Sequence, residues 1–156
     1  MEVSGRYIEN DRDLAACLRA VRHIALIGIS QKPERPSHQV MAFLLESGFE
    51  VTPINPGLAG QTLMGREVRA DLTALDRPAD MVDVFRAPDA LGEIVDATLT
   101  AHIPVLWTQL GVINRPATDD AVRGGLTVIV DKCPKQEIPR LAQLGLWTER
   151  RSQNRP

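Results

Sequence analysis

The segment GISQKPERPS, residues 28–37, gathers groups suited to holding a phosphate. Gly28 permits a tight turn and a close approach of backbone to ligand. Ser30 and Ser37 offer hydroxyls, and Lys32 and Arg35 supply two cations. A helix starting near Ser37 would add free N–H groups and a positive dipole end. A phosphate or pyrophosphate suits this set; a plain turn flanked by solvated charges is the competing reading. The segment is not an NAD fingerprint, because G-x-G-x-x-G needs glycines where Ser30 and Pro33 stand. The following strand should also end near an acid for the ribose 2′-hydroxyl, yet it ends in Asn55-Pro56. No GK[ST] follows, so the loop is not a P-loop either. A phosphorylated nucleotide other than NAD or ATP remains, and two cations can meet more charge than a bare pyrophosphate carries.

Other reactive side chains are scattered. His23 opens a strand and reads as a packing or strand-edge residue. His38 lies in the first turn of the helix after the loop, at a phosphate or simply at the surface. His102 follows a helix as its polar terminal residue. None of the three shows a local pairing with a nucleophile and an acid. Asp80 and Asp83 flank a strand and read as strand-end and loop residues rather than a catalytic pair. Asp119 and Asp120 are helix-start charges. Cys133 follows a strand, precedes Pro134 and opens a helix, where the dipole and Lys132 or Lys135 can lower a thiol pKa. The plainer reading is a small residue that shapes its loop. Cys17 reads as core, Trp147 as packing, and Trp107 as either a ligand-stacking or a core residue. No catalytic residue and no metal-ligand set is assigned.

The elements that must position these residues follow from periodicity. Asn10 or Asp11 can cap a helix with Leu14, Cys17, Leu18 and Val21 on one side. HIALIG is a buried-strand signature ending in glycine. Residues 37–47 carry Val40, Met41, Leu44 and Leu45 on one helical face and stop at Gly48. Strands are predicted over residues 50–54, 81–86, 104–107 and 126–130, with a short one near 67–69. Helices are predicted from Pro88 through Leu99, over residues 116–123, and over about 136–144. Val- and Ile-rich strands alternating with helices imply a doubly wound α/β fold, a Rossmann-like parallel sheet of about five strands with helices on both faces. Ligands of such folds sit beyond the carboxyl ends of the strands, near the point where strand order reverses. That rule nominates residues 29–37, 55–57, 85–87, 108–112 and 131–134.

The 156-residue length fits one domain, expected over residues 1–148, with a flexible tail at 149–156. A net charge of −2 argues against general nucleic-acid binding, so any anion site must be local. Cys17 and Cys133 lack a zinc-ligand spacing. No apolar stretch approaches the roughly 18 residues of a membrane span. The polar N-terminal segment resembles no leader, which makes the cytoplasm the default location.

The stretches IALIGISQKPERPSHQVMAFLLESGFEVTPINPG, ADMVDVFRAP, VLWTQLGV and VIVDKCPKQE resemble, in order, the CoA-binding domain family. Its members are stand-alone relatives of the N-terminal domain of succinyl-CoA synthetase alpha subunits. The resemblance implies coenzyme A, or an acyl-CoA, held across the strand ends. Carried over, Gly28, Ile29, Ser30 and Lys32 would approach the pyrophosphate, with Arg35 and Ser37 nearby. Lys32 or Arg35 could meet the ribose 3′-phosphate, and Asn55 and Pro56 would line the nucleotide side. Phe85, Arg86 and Ala87 would border the middle of the cofactor, and Trp107, Gln109 and Gly111 the pantetheine side. Cys133 and Pro134 occupy the last motif, where the Cys133 thiol could pair with that of CoA. The synthetases' phosphohistidine and ATP-grasp parts have no counterpart here, so binding transfers and ligase activity does not. An NAD(P)-dependent redox enzyme or sensor on the same fold is the alternative, and an interaction subunit a third reading. A homodimer or a protein partner stays open.

Overall fold

The computed structural model describes residues 5–148; the expected tail lies outside the described residues. The described residues open with a two-residue strand, β1 (Arg6–Tyr7), and helix α1 (Asp11–Ala20). Strand β2 (His23–Ile27), helix α2 (Pro36–Glu46) and strand β3 (Glu50–Ile54) follow. A hairpin of β4 (Thr62–Leu63) and β5 (Arg66–Glu67) leads to β6 (Met81–Val84). The remainder alternates: α3 (Leu91–Thr100), β7 (Val105–Thr108), α4 (Arg115–Arg123), β8 (Thr127–Ile129) and α5 (Pro134–Gln143).

Six strands form one sheet in the order β1-β8-β7-β6-β2-β3, and every pairing in it is parallel. After β2 the chain moves outward to β3, then returns to β6 on the other side of β2. The order therefore reverses between β2 and β6, where the two following loops diverge and open a crevice. Central strands β2, β6 and β7 are buried along their whole length, because helices cover both faces. Leu14, Leu18, Met41, Leu44, Ile138 and Leu141 from α1, α2 and α5 pack on one face with Ile24, Leu26, Met81 and Trp107. Leu91, Ile94, Val95 and Ala121 from α3 and α4 pack on the other with Ala25, Val82, Leu106 and Val128. Side chains alternate between the two layers along each strand, as the pleat requires.

The doubly wound fold is as expected, with particular differences. The sheet has a sixth strand, β1, which runs parallel to β8 at the edge. Two residues carry too little periodicity to reveal it; Tyr7 is held there because its hydroxyl donates to Asp119 Oδ1 (2.5 Å) and its oxygen lies within hydrogen-bond distance of Thr118 Oγ1 (2.8 Å). The strand expected near residues 67–69 is the tight β4–β5 hairpin plus one parallel bridge between Ile54 and Arg69. Its turn, Met64-Gly65, has positive φ at both residues (50° and 79°), the twist that suits a two-residue hairpin. Pro88 opens a short 3-10 turn, Pro88–Ala90, and the α-helix proper begins at Leu91. Asn10 caps α1, its side chain accepting from the Asp13 amide. Among the described residues no helix is long and apolar enough to cross a membrane.

Candidate functional site

The crevice at the reversal point is a cleft of about 960 Å³. Its geometry starts at Gly28, where β2 ends. Gly28 has φ +97°, and a Cβ there would lie 2.4 Å from the Phe85 carbonyl oxygen. Only glycine lets the ends of β2 and β6 approach this closely while the chain turns. The Gly28 and Ile29 amides both donate to the Ile54 carbonyl (2.9 and 3.3 Å), tying the loop to the end of β3. Asn55 completes the tie: Nδ2 donates to the Ile29 carbonyl and Oδ1 accepts from the Gly57 amide, each at 2.8 Å. Farther along, the Ser30 amide donates to Ser37 Oγ (2.9 Å), and the Lys32 amide donates to Ser30 Oγ (3.1 Å). Asn55, Ser30 and Ser37 therefore shape the loop, while Lys32 and Arg35 stand exposed at its rim.

Two helix N-termini open onto the cleft. Helix α2 starts with Arg35 at its cap and Pro36 in its first turn, and no side chain caps it. Helix α5 starts with Cys133 and Pro134 in the same arrangement. Uncapped first turns present amide hydrogens and partial positive charge. The lining reinforces this sign: Lys32, Arg35, Arg86 and Lys135 all border the cleft, and no carboxylate appears among the described residues that line it. In a chain of net charge −2, this is a local concentration of positive charge. It can hold a multiply charged anion.

The far wall differs. Gln109, Leu110 and Val112 follow β7, and Cys133 is nearly buried at the start of α5. Leu110 is half exposed. The segment is held from the loop after β8: the Gly111 amide donates to Asp131 Oδ1 (2.7 Å), and the Asp131 amide donates to Thr108 Oγ1 (3.1 Å). Beneath this wall lies Asp83, fully buried in the middle of β6. Burial pushes its carboxyl well above the ordinary carboxylate range, against a smaller downward pull from a backbone hydrogen bond at Val84. With the Gln109 amide oriented to satisfy both of its ends, Nε2 donates to Asp83 Oδ1 at 2.8 Å and reaches Oδ2 at 3.2 Å.

Eleven of the expected site residues line the cleft together: Gly28, Ile29, Ser30, Lys32, Arg35, Ser37, Asn55, Phe85, Arg86, Gln109 and Cys133. Five do not. Trp107 is a core residue with 0% exposure, its Nε1 donating to the Lys132 carbonyl (2.7 Å) beneath the site. Pro56, the first residue of one 3-10 turn, and Ala87, the cap of another, are exposed and do not line the cleft. Gly111 contributes its amide to Asp131 rather than a surface to the cleft, and Pro134 is buried in the first turn of α5. Asp83 also sits elsewhere than expected: it lies inside its strand rather than at its end. Asp80 is the strand-end acid, its Oδ2 accepting from the Arg22 and His23 amides (2.9 Å each). His23 is buried between the Pro78 carbonyl and Thr52 Oγ1, and neither His38 nor His102 lines the cleft. Leu110 and Val112, inside the nominated stretch 108–112, also line the cleft, whereas Lys135 and Gln136 lie just past the nominated 131–134. Lys135 was legible as the residue after Pro134 in VIVDKCPKQE.

The sequence model of a family described as a CoA binding domain matches residues 22–139. The chain belongs to that CoA-binding domain family. The matched span runs from the start of β2 into α5 and so contains every residue that lines the cleft. The Bacillus subtilis (strain 168) uncharacterized protein YneT is 32% identical over 123 residues, 79% of this chain and 90% of that protein. A solved structure from Thermus thermophilus is 37% identical, with a TM-score of 0.80 over 85% of this chain and 99% of the other. A hypothetical protein from Pyrococcus horikoshii OT3 is 33% identical, with a TM-score of 0.82 over 91% and 99%. These similarities extend the family's fold across nearly all the described residues.

Proposed function

We propose that this chain is a single-domain binder of coenzyme A or an acyl-CoA, with the nucleotide at the β2–α2 loop and the pantetheine arm along the wall after β7. The observation that carries this reading is the cleft's charge: among the described residues, four cations and no carboxylate line it, with two uncapped helix N-termini at the reversal point of a CoA-binding family fold. Coenzyme A carries a pyrophosphate and a ribose 3′-phosphate on one half and an uncharged, amide-bearing arm on the other. Lys32 and Arg35 meet the first half, and Gln109, Leu110 and Val112 offer an uncharged wall to the second. NAD fits less well, because β3 is followed by Asn55, which is already committed to Ile29 and Gly57 and cannot replace a ribose-binding acid.

Calorimetric titration with CoA and with NAD tests the reading. CoA is expected to bind and NAD to bind at least tenfold more weakly, a gap of about 1.4 kcal/mol. Equal affinity, or tighter binding of NAD, contradicts it.

A further inference from the structure

Asp83 poses a problem that the fold does not explain. A carboxyl buried in the centre of a sheet costs free energy. Its neighbours in register are Leu26 and Trp107, and Met81, two residues earlier on the same face, fills the equivalent space with an apolar side chain. An apolar residue would pack there too. Asp83 has no ion-pair partner among the described residues, and its side-chain partner is Gln109. Gln109 in turn is nearly buried yet lines the cleft, whereas Asp83 does not reach it. The Gln109 carbonyl also accepts from the Val112 amide (3.0 Å), so the same residue anchors the turn that carries Leu110.

The geometry assigns Asp83 the role of a positioning residue: by holding the Gln109 amide it sets the cleft wall that meets the pantetheine arm, and with it the preference for CoA over the nucleotide alone. This rests on the CoA reading above. A glutamine amide that is free to rotate offers a ligand either its donor or its acceptor end. Tied through Nε2 to Asp83, it presents one arrangement, which an amide-bearing arm can be matched against. Without the tie, the ordering of Gln109 must come out of the binding free energy.

The test uses the full chain, titrated with CoA and with adenosine 3′,5′-bisphosphate, alongside thermal melts. The variants are Asp83→Leu, Asp83→Asn and the double variant Asp83→Leu/Gln109→Met. Asp83→Leu is expected to weaken CoA about tenfold, the loss of roughly one hydrogen bond's worth of order, and to leave the bisphosphate within about twofold. Asp83→Asn keeps an oxygen that accepts from Gln109 Nε2 and is expected to restore the preference. The double variant removes both polar partners, so it is expected to melt no lower than the wild type while losing the preference as Asp83→Leu does. A folded double variant with the wild-type ratio of affinities overturns the assignment, as does equal weakening of both ligands. Wild-type protein that binds neither ligand overturns the CoA reading and this role with it. Binding of both, with Asp83→Leu indistinguishable from wild type, overturns the positioning role alone.

Discussion

The two ends of the cleft are built on opposite plans. At the β2–α2 loop the reactive groups, Lys32 and Arg35, are exposed, and backbone ties through Asn55, Ser30 and Ser37 hold the loop beneath them. At the wall after β7 the polar pair, Asp83 and Gln109, is almost wholly buried, and the exposed residue is apolar Leu110. Exposed cations attract charge at long range but specify little shape, and salt screens them. A buried hydrogen-bonded pair attracts little and fixes geometry. One end should therefore govern how strongly the ligand binds and the other which arm it carries.

Both ends of the cleft depend on one shared residue, Gly28, at the end of β2. Gly28→Ala places a Cβ against the Phe85 carbonyl and forces a positive φ on alanine. It is expected to destabilise the fold by about 3 kcal/mol in urea unfolding and to weaken every ligand together. Removing the cations separates the ends. Lys32→Ala and Arg35→Ala are each expected to cost about 1–3 kcal/mol of CoA affinity by calorimetry. Both residues are exposed, so stability should move by no more than about 0.5 kcal/mol. A large loss of stability would mean that the loop charges hold the fold rather than the ligand.

The buried end has a pH signature. The folded-state pKa of Asp83 is raised, so its protonated form is the one folding favours. Its contribution to stability is complete below the unfolded value of about 3.9 and is lost as pH rises toward the folded pKa. Wild-type stability, measured against Asp83→Asn, should fall as the pH of urea titrations rises from about 4 toward neutrality. A gap that stays constant with pH would contradict a raised pKa. The smallest effect lies away from both ends: Tyr7→Phe should cost about 0.5–1 kcal/mol by loosening β1 and leave CoA binding unchanged.

The same contrast explains what could be read in advance. The loop end is local: Gly28, Ser30, Lys32, Arg35 and Ser37 fall within one stretch between a strand and a helix, so residue type and spacing place them together. The buried end is not local. Asp83 and Gln109 meet only because β6 and β7 pair in register, with Asp83 opposite Trp107 and Gln109 two residues beyond on the same face. Periodicity marked the strand containing Asp83 but not whether an acid near its end was inside or outside the core. Trp107 shows the converse. Its place at a strand end suggested a ligand contact, yet its orientation follows the alternation of β7, which turns it into the α1–α2–α5 layer. Edge strand β1 depends on tertiary anchoring through Tyr7, which no local pattern announces.

The measurement that bears most directly on the account is calorimetric titration of the full chain with CoA and dephospho-CoA. The cationic loop predicts that CoA binds about ten- to a hundredfold more tightly, the worth of a charge-assisted contact from Lys32 or Arg35 to the 3′-phosphate. Equal affinity for the two, or no binding of CoA, would contradict it.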